Sequence, residues 1–311
     1  MKSIGGYFVL ETGKQISCHP EALALNTGRN ALEYIIRAKG YKVIHLPSYT
    51  CDVLRAPLER TGVEVRYYSL DQNLDPVIDA SVLGRTEALL YTNYFGLRSA
   101  TAQRLAAECP TLIMDHAQCF YTPPIKGVDT FYSARKFIGV ADGSFLYTDK
   151  HLDEELEQDL SYDRYAHLLK SVDLGIEAGY AEFHEHEQAL NDVPLRRMSG
   201  LTARSLATMD HTFIQERRRR NHAYLHNELS GLNELPLEPT SAEVPMIYPY
   251  MTDAIDLRQK LLRNKIYVAK YWNDLLAPIE PGGAERHYID RLICLPIDQR
   301  WDLEDMERIL K

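Results

Sequence analysis

The stretch Thr111-Leu112-Ile113-Met114-Asp115-His116-Ala117-Gln118 passes from a short apolar run straight into a carboxylate, an imidazole and an amide. Thr111 to Met114 has the length and composition of a buried strand, which puts Asp115 at its carboxyl end. Working back along the chain, helical spacing predicts a helix over Ala100 to Glu108, preceded by an apolar strand over Ala88 to Tyr94. Before these come a strand over Val63 to Tyr68 and a helix over Asp52 to Arg60. Further back, a strand over Lys42 to Leu46 closes at Pro47, and a helix from Arg29 to Lys39 carries Leu32, Ile35 and Ile36 on one face. Working forward, Val128 to Tyr132 and Ser144 to Tyr147 read as two more strands that bracket Arg135 to Gly143. Strands alternating with helices in this way predict an α/β fold, a mainly parallel sheet sandwiched by helices. Its ligand groups should gather at the carboxyl ends of the strands.

Beyond His151 the chain turns to long, charged, helix-favouring segments, ending in a helix over roughly Ser199 to Leu229. Gly231 to Val244, rich in Pro, Glu and Ser, reads as a linker. A strand (Pro245 to Tyr250), a helix (Ala254 to Asn264), a strand (Arg291 to Pro296) and a helix (Leu303 to Leu310) follow. The expected division is a large α/β domain over 1–230 and a smaller α+β C-terminal domain over 231–311.

At 311 residues the chain has room for such a core and an appendage. It carries 35 Lys and Arg against 44 Asp and Glu, a formal charge of −9. That balance argues against general binding of nucleic acid or an anionic membrane, since both repel an acidic surface. Small anions need only a local site. The cysteines, Cys18, Cys51, Cys109, Cys119 and Cys294, are scattered and form no Cys-x-x-Cys pair, as expected of reduced thiols in a cytoplasmic protein. The apolar stretch Tyr7 to Leu10 is cut short by Glu11, so a secretory leader is not expected. No apolar run approaches the roughly 20 residues that span a bilayer.

Three short segments carry chemistry. Ser133-Ala134-Arg135-Lys136 leaves a strand and precedes Gly139 and Asp142-Gly143. A lysine held at a buried strand end suits a Schiff base, because desolvation favours the nucleophilic amine. The plain alternative is a surface lysine in a basic turn. Asp115, at its strand end, could keep a cofactor's pyridinium nitrogen protonated, with Gln118 donating to a ring oxygen. It could equally cap a following helix. Asn26-Thr27-Gly28-Arg29 opens the first helix with a hydroxyl, a glycine and free N–H groups, the makings of a phosphate cup, or of an ordinary cap.

Taken in order, a phosphate cup, a strand-ending aspartate and a strand-ending lysine form the set a pyridoxal phosphate enzyme needs. Here the sequence resembles the fold type I pyridoxal-phosphate enzymes, specifically the DegT-type nucleotide-sugar aminotransferases. Thr27-Gly28-Arg29 is similar to the family's phosphate loop, and Pro47-Ser48-Tyr49-Thr50 to its Pro-Ser-aromatic-Thr run. Asn93-Tyr94-Phe95-Gly96 resembles its strand-end turn, and Asp115-His116-Ala117-Gln118 its Asp-x-Ala-Gln. Lys136 falls at the cofactor lysine, and the likeness resumes at Arg197-Met198-Ser199 and at Leu295-Pro296.

The resemblance implies a cytoplasmic homodimer that uses pyridoxal 5'-phosphate to move an amino group from an amino acid to a nucleotide-linked keto sugar, in cell-surface polysaccharide or related sugar biosynthesis. It implies Lys136 as the catalytic residue and Thr27, Gly28, Arg29, Tyr49, Cys51, Asp115, Gln118 and Ser133 as cofactor contacts, with no metal. Three departures stand out. Cys51 lies where the family has an aromatic that stacks on the cofactor ring, leaving Tyr49 or Tyr94 to supply one. Leu195 lies where the family sends an asparagine to the neighbouring subunit's phosphate, with Arg29 or Arg196 as replacements by charge. Third, the chain is short for the family and is expected to lack much of its usual N-terminal extension. The alternative is a cofactor-binding relative with lost or altered chemistry.

Two other signals point to ordinary surface. His184-Glu185-His186-Glu187 lacks the His-Glu-x-x-His spacing and reads as a solvated helix face. Arg217 to Arg220 spans a full helical turn and is expected in surface ion pairs or at a dimer contact.

Overall fold

A computed structural model of the chain describes residues 7, 8, 10–12, 17–237, 239–254, 256–272, 276, 277, 279 and 282–311. Val9 in the apolar stretch, Glu238 in the linker and Ile255 in the helix expected over 254–264 lie outside them.

Eight strands form the main sheet: β1 (Leu23–Leu25), β2 (Val43–Pro47), β3 (Glu64–Leu70), β4 (Pro76–Val77), β5 (Glu87–Thr92), β6 (Leu112–His116), β7 (Asp129–Ser133) and β8 (Ser144–Tyr147). Their order is β1-β8-β7-β6-β5-β2-β3-β4. The central run from β7 through β6, β5 and β2 to β3 is parallel. β8 runs against β7, β1 against β8, and β4 against β3.

Side chains alternate across this sheet as the period of two requires. Leu90 of β5 and Ile113 of β6 face the helix α1 (Gly28–Lys39), packing with its Ala31, Leu32 and Ile35. Leu89 and Tyr91 of β5, with Leu112 and Met114 of β6, face the other way, toward Ala102 and Leu105 of α3 (Ser99–Glu108). Both faces are therefore covered, which is why Ala88 to Tyr91 of β5 and Leu112 to Met114 of β6 are continuous apolar runs.

Local signals fix the ends of the helices. Thr27 caps α1, its Oγ1 accepting from the Asn30 N–H at 3.1 Å, a contact worth about 1 kcal/mol. Gly40 ends α1 in the left-handed region at φ 70°. The second helix, α2 (Arg55–Thr61), is entered through a short 3-10 turn over Asp52–Leu54.

Beyond β8 come α4 (Ala166–Leu174), α5 (Tyr180–Ala189), α6 (Gly200–Ala207) and α7 (His211–Leu229). The single helix expected over 199–229 is thus two. Ser199 caps α6, and Asp210 starts α7 afresh by accepting from the Phe213 N–H at 2.9 Å. A second, two-stranded sheet pairs β9 (Tyr248–Met251) with β10 (Leu292–Leu295) in antiparallel register. Its apolar cluster includes Leu261 of α8 (Leu257–Arg263) and Met306 and Ile309 of α10 (Leu303–Leu310), but also Leu225 of α7, from before the linker.

Three elements were not foreseen: β1, β4 and α9 (Ala284–Arg291). The two strands are too short to display a period. The helix docks on the end of β3, where Glu285 accepts from the Leu70 N–H at 2.7 Å. Among the described residues, no helix is long and apolar enough to cross a membrane.

Candidate active site

The carboxyl ends of β5, β6 and β7 meet the amino end of α1. Thr92 and Asp115 are register partners on β5 and β6. Asp115 is buried, accepting from the Ala117 N–H at 2.8 Å and from Thr92 Oγ1 at 3.3 Å. Burial raises its carboxyl above the usual range, while the Lys136 charge and these two hydrogen bonds pull back toward the carboxylate. No helix follows Asp115; it is the penultimate residue of β6 and caps the turn after it.

Gln118 is fully buried. Its Oε1 accepts from the Phe95 N–H at 2.6 Å, and its Nε2 has no partner. A buried donor left open costs about 1–3 kcal/mol, so this amide is matched to an acceptor that the chain itself does not supply. The turn it supports is tight, with Phe95 at φ 59° and Gly96 at φ 76°. A Cβ on Gly96 would meet Gln118 O at 3.0 Å and Val244 O at 3.3 Å.

Lys136 ends a one-turn 3-10 helix, Ala134–Lys136, that directly follows β7. It is exposed and takes part in none of the ion pairs among the described residues. The neighbouring backbone is firmly held. Ala134 N–H donates to Gly143 O at 3.1 Å, and Gly143 N–H donates to Asn26 O at 2.6 Å, which lays the lysine turn against the start of α1. Gly143 sits at φ 115°, and a Cβ there would meet Thr202 Cγ2 at 3.1 Å. Fully buried Asp142 accepts from the Ser199 N–H at 3.0 Å and from its hydroxyl at 2.9 Å.

Arg218 secures the other side of the same turn. It is buried, contrary to the surface role expected for Arg217 to Arg220, because this position of α7 faces Phe137 and the Pro245-Met246 segment. It donates to Met246 O at 2.9 Å and lies 4.5 Å over the Phe137 ring, while Gln299 donates to Phe137 O at 2.8 Å.

At the start of α1, the Thr27 hydroxyl accepts from Asn30 and keeps its own proton free to donate. Gly28 opens α1, and Arg29, also buried, donates from Nε to Asn191 Oδ1 at 2.9 Å. The Ser133 hydroxyl is half-buried at the end of β7 and does not cap the turn that follows it. Half-buried Cys51 lies within the field of both Lys136 and Arg29; burial raises its thiol, and the two cations act in the opposite direction.

Tyr49 and Tyr94 are placed differently. Tyr94 stacks on Tyr49 with ring centroids 6.0 Å apart, and Trp272 and Tyr288 close on Tyr49 at 4.6 and 5.3 Å. Tyr49 is 1% exposed and lies within the aromatic core. His184-Glu185-His186-Glu187 is not wholly solvated either. His186 Nε2 contacts Ala141 O at 2.6 Å, and Glu187 pairs with Arg135. Arg196, half-buried, pairs with Glu157 and Asp159, and its carbonyl accepts from the Asn26 N–H at 3.0 Å.

The set fits pyridoxal phosphate: an unpaired amine, a buried carboxylate within its field, a buried amide with an open donor, and a cationic helix start. Arg135, Thr92, Arg218 and Gln299 also belong to this neighbourhood. Thr92 and Gln299 had no sequence motif to announce them, whereas Arg135 stood beside Lys136 and Arg218 within the run Arg217 to Arg220.

No family model matches the chain, and no curated protein matches its sequence. Solved structures do match its fold. A DegT DnrJ EryC1 StrS aminotransferase from Brucella abortus is 16% identical, with 93% of this chain and 84% of that one covered and a TM-score of 0.61. The protein ntda from Bacillus subtilis, with bound cofactor pmp, is 14% identical over 93% of this chain and 71% of that one, with a TM-score of 0.66. DesI, in the presence of its TDP-sugar product, is 17% identical over 93% and 78%, with a TM-score of 0.60. The chain thus has the fold type I arrangement of the DegT-type sugar aminotransferases.

Proposed function

We propose that the chain is a pyridoxal-phosphate-dependent aminotransferase that moves an amino group from an amino acid to a keto sugar carried on a nucleotide. The observation that carries this reading is the exposed, unpaired Lys136 amine beside buried Asp115, on neighbouring strand ends at the start of α1. When bound, the cofactor supplies an electron sink for the charge left at a donor's α-carbon. Lys136 anchors it and then carries the proton between carbon centres as base and acid. Asp115, oriented by Thr92 and the Ala117 N–H, keeps the ring nitrogen protonated. Gln118 directs its open Nε2 donor to the ring oxygen, with its amide fixed by Phe95. Thr27, Gly28, Arg29 and Ser133 receive the phosphate, and Cys51 lines the site with Tyr49 behind it in the aromatic core.

The same reading makes the protein a cytoplasmic homodimer, with residues 1–230 and 231–311 as its two domains. Five free thiols suit a reducing compartment. Leu169, Val172 and Leu174 of α4 and Tyr180 of α5 are exposed apolar side chains on neighbouring helices, a surface that a second copy would cover. A relative that binds the cofactor without transamination is the second reading. It is favoured by Cys51 and by Tyr49 being walled in.

The test is to load the protein with pyridoxal phosphate, reduce with borohydride and map the modified peptide. Modification at Lys136, absent in Lys136→Ala, supports the reading. Modification at another lysine, or at none, defeats it.

A further inference from the structure

Helix α5 and the turn after it hold two guanidinium groups at the start of α1. Glu187 of α5 ion-pairs with Arg135, and Asn191, one helical turn further on, accepts from Arg29 Nε at 2.9 Å. The last turn of α5 and the turn that follows it thus contact both arginines. The two come from distant parts of the chain. Arg29 follows Gly28 at the first turn of α1, and Arg135 immediately precedes Lys136. The bonds from Ala134 to Gly143 and from Gly143 to Asn26 bring these two segments together.

Some of these cations have a carboxylate in ion-pair contact and some do not. Glu187 matches Arg135, and Asp142 and Asp159 match nearby Arg164. Among the described residues, no carboxylate lies within ion-pair distance of Arg29 or Lys136. The first turn of α1 contains no acidic residue, and its free N–H groups add partial positive charge. Arg135 Nε is buried with no hydrogen-bond partner, and burial and the Arg29 charge together bring its guanidinium down to about 9, leaving it a cation at neutral pH. Gathering buried like charges is unfavourable unless a ligand of opposite charge completes the site. A phosphate dianion, with acceptor oxygens on several sides, meets that need, and guanidinium groups bind it through paired N–H donors.

We propose that Arg135, acting with Arg29, holds the cofactor's phosphate from within a single chain, so that phosphate binding does not depend on a second subunit. This rests on the pyridoxal-phosphate reading. It makes Arg135 a binding residue rather than a bystander to Lys136, Asn191 a positioning residue for Arg29, and Glu187 a carboxylate that competes with the phosphate for the Arg135 guanidinium.

The experiment compares pyridoxal phosphate with pyridoxal, which lacks the phosphate, as ligands for apo-protein, following the visible absorbance of the lysine adduct. Charge-assisted hydrogen bonds lead us to expect Arg135→Gln to weaken pyridoxal phosphate about tenfold or more while changing pyridoxal less than about threefold. Inorganic phosphate should compete with pyridoxal phosphate in the wild type and much less in the variant. Equal losses for both ligands, or none for either, overturn the proposal and leave the cofactor reading standing. If the anion held were instead an amino donor's carboxylate, the variant would weaken the donor and spare pyridoxal phosphate, which also overturns it. Failure of wild-type protein to form a borohydride-reducible adduct with either ligand overturns the cofactor reading itself. Should Arg135→Gln not fold, Glu187→Gln carries the test. Releasing the guanidinium from its carboxylate raises affinity for pyridoxal phosphate but not pyridoxal, and no rise overturns the proposal.

Discussion

Thr92 Oγ1 donates to Asp115 Oδ2 at 3.3 Å across the β5–β6 pair, where the two residues are register partners. The bond joins the sheet's hydrogen-bond ladder to a buried carboxylate in the field of Lys136. Asp115→Ala should therefore reduce single-turnover release of keto acid at least about tenfold, by analogy with the loss of a charge-assisted contact. Thr92→Val removes one bond and should cost about 1 kcal/mol of stability in urea unfolding, with a smaller kinetic effect. An Asp115→Ala protein as fast as wild type would remove the carboxylate from the account.

The Phe95-Gly96 turn is predicted to be intolerant of side chains. Gly96 combines φ 76° with carbonyl oxygens at 3.0 and 3.3 Å from any added Cβ. Gly96→Ala should destabilise the protein by about 2 kcal/mol and loosen Gln118. Equilibrium unfolding with an unchanged midpoint would show that the backbone there can relax.

Buried imidazoles make stability pH-dependent. Burial brings His116 down to about 3 and His19 and His222 down to about 4, from the 6.5 of a free histidine. Between those values and 6.5 the unfolded chain binds more protons than the native one. Stability is then fully present above pH 6.5 and falls as the pH drops toward 4. Each histidine contributes about 1.4 kcal/mol per pH unit across that window. The raised carboxyls of Asp115 and Asp142 act in the opposite direction at the acid end. His116 has no hydrogen-bond partner and packs edge-on against Tyr132 at 5.2 Å, so His116→Phe should keep the fold and flatten the slope by one histidine. An unchanged slope would contradict this.

The surface of α4 gives a prediction about assembly. Val172 is 83% exposed and Leu169 63% exposed, more than an apolar side chain facing water needs to be. Leu169→Asp together with Val172→Asp should shift sedimentation from dimer to monomer at micromolar concentration. A wild-type protein that is already monomeric would refute the proposed dimer.

The central strands could be read from sequence because strands buried on both faces are short, apolar and bounded by turn residues, as in β6 and β8. The last helix appears over Leu303–Leu310 as read, where Asp302 and Asp305 form a capping box. The break between α6 and α7 was hidden because Thr208 and Met209 do not interrupt a helical pattern; only the Asp210 cap reveals it. The triad of Thr27, Asp115 and Lys136 stood out because each ends or begins an element. The partners that hold them did not. Glu187 meets Arg135 from 52 positions along the chain, and four consecutive arginines cannot disclose that Arg218 alone turns inward. Such pairings are products of the tertiary fold.

The central claim is tested most directly by a half-reaction that needs no knowledge of the sugar. Protein loaded with pyridoxal phosphate is mixed with glutamate, glutamine or another common amino acid. The visible absorbance of the lysine-bound cofactor is followed together with release of 2-keto acid. The account predicts loss of that absorbance with one equivalent of keto acid per site, abolished in Lys136→Ala, because proton transfer from the donor's α-carbon requires only the lysine and the electron-sink ring. A fully loaded protein that none of the twenty amino acids converts would contradict it and leave a cofactor-binding protein without transaminase chemistry.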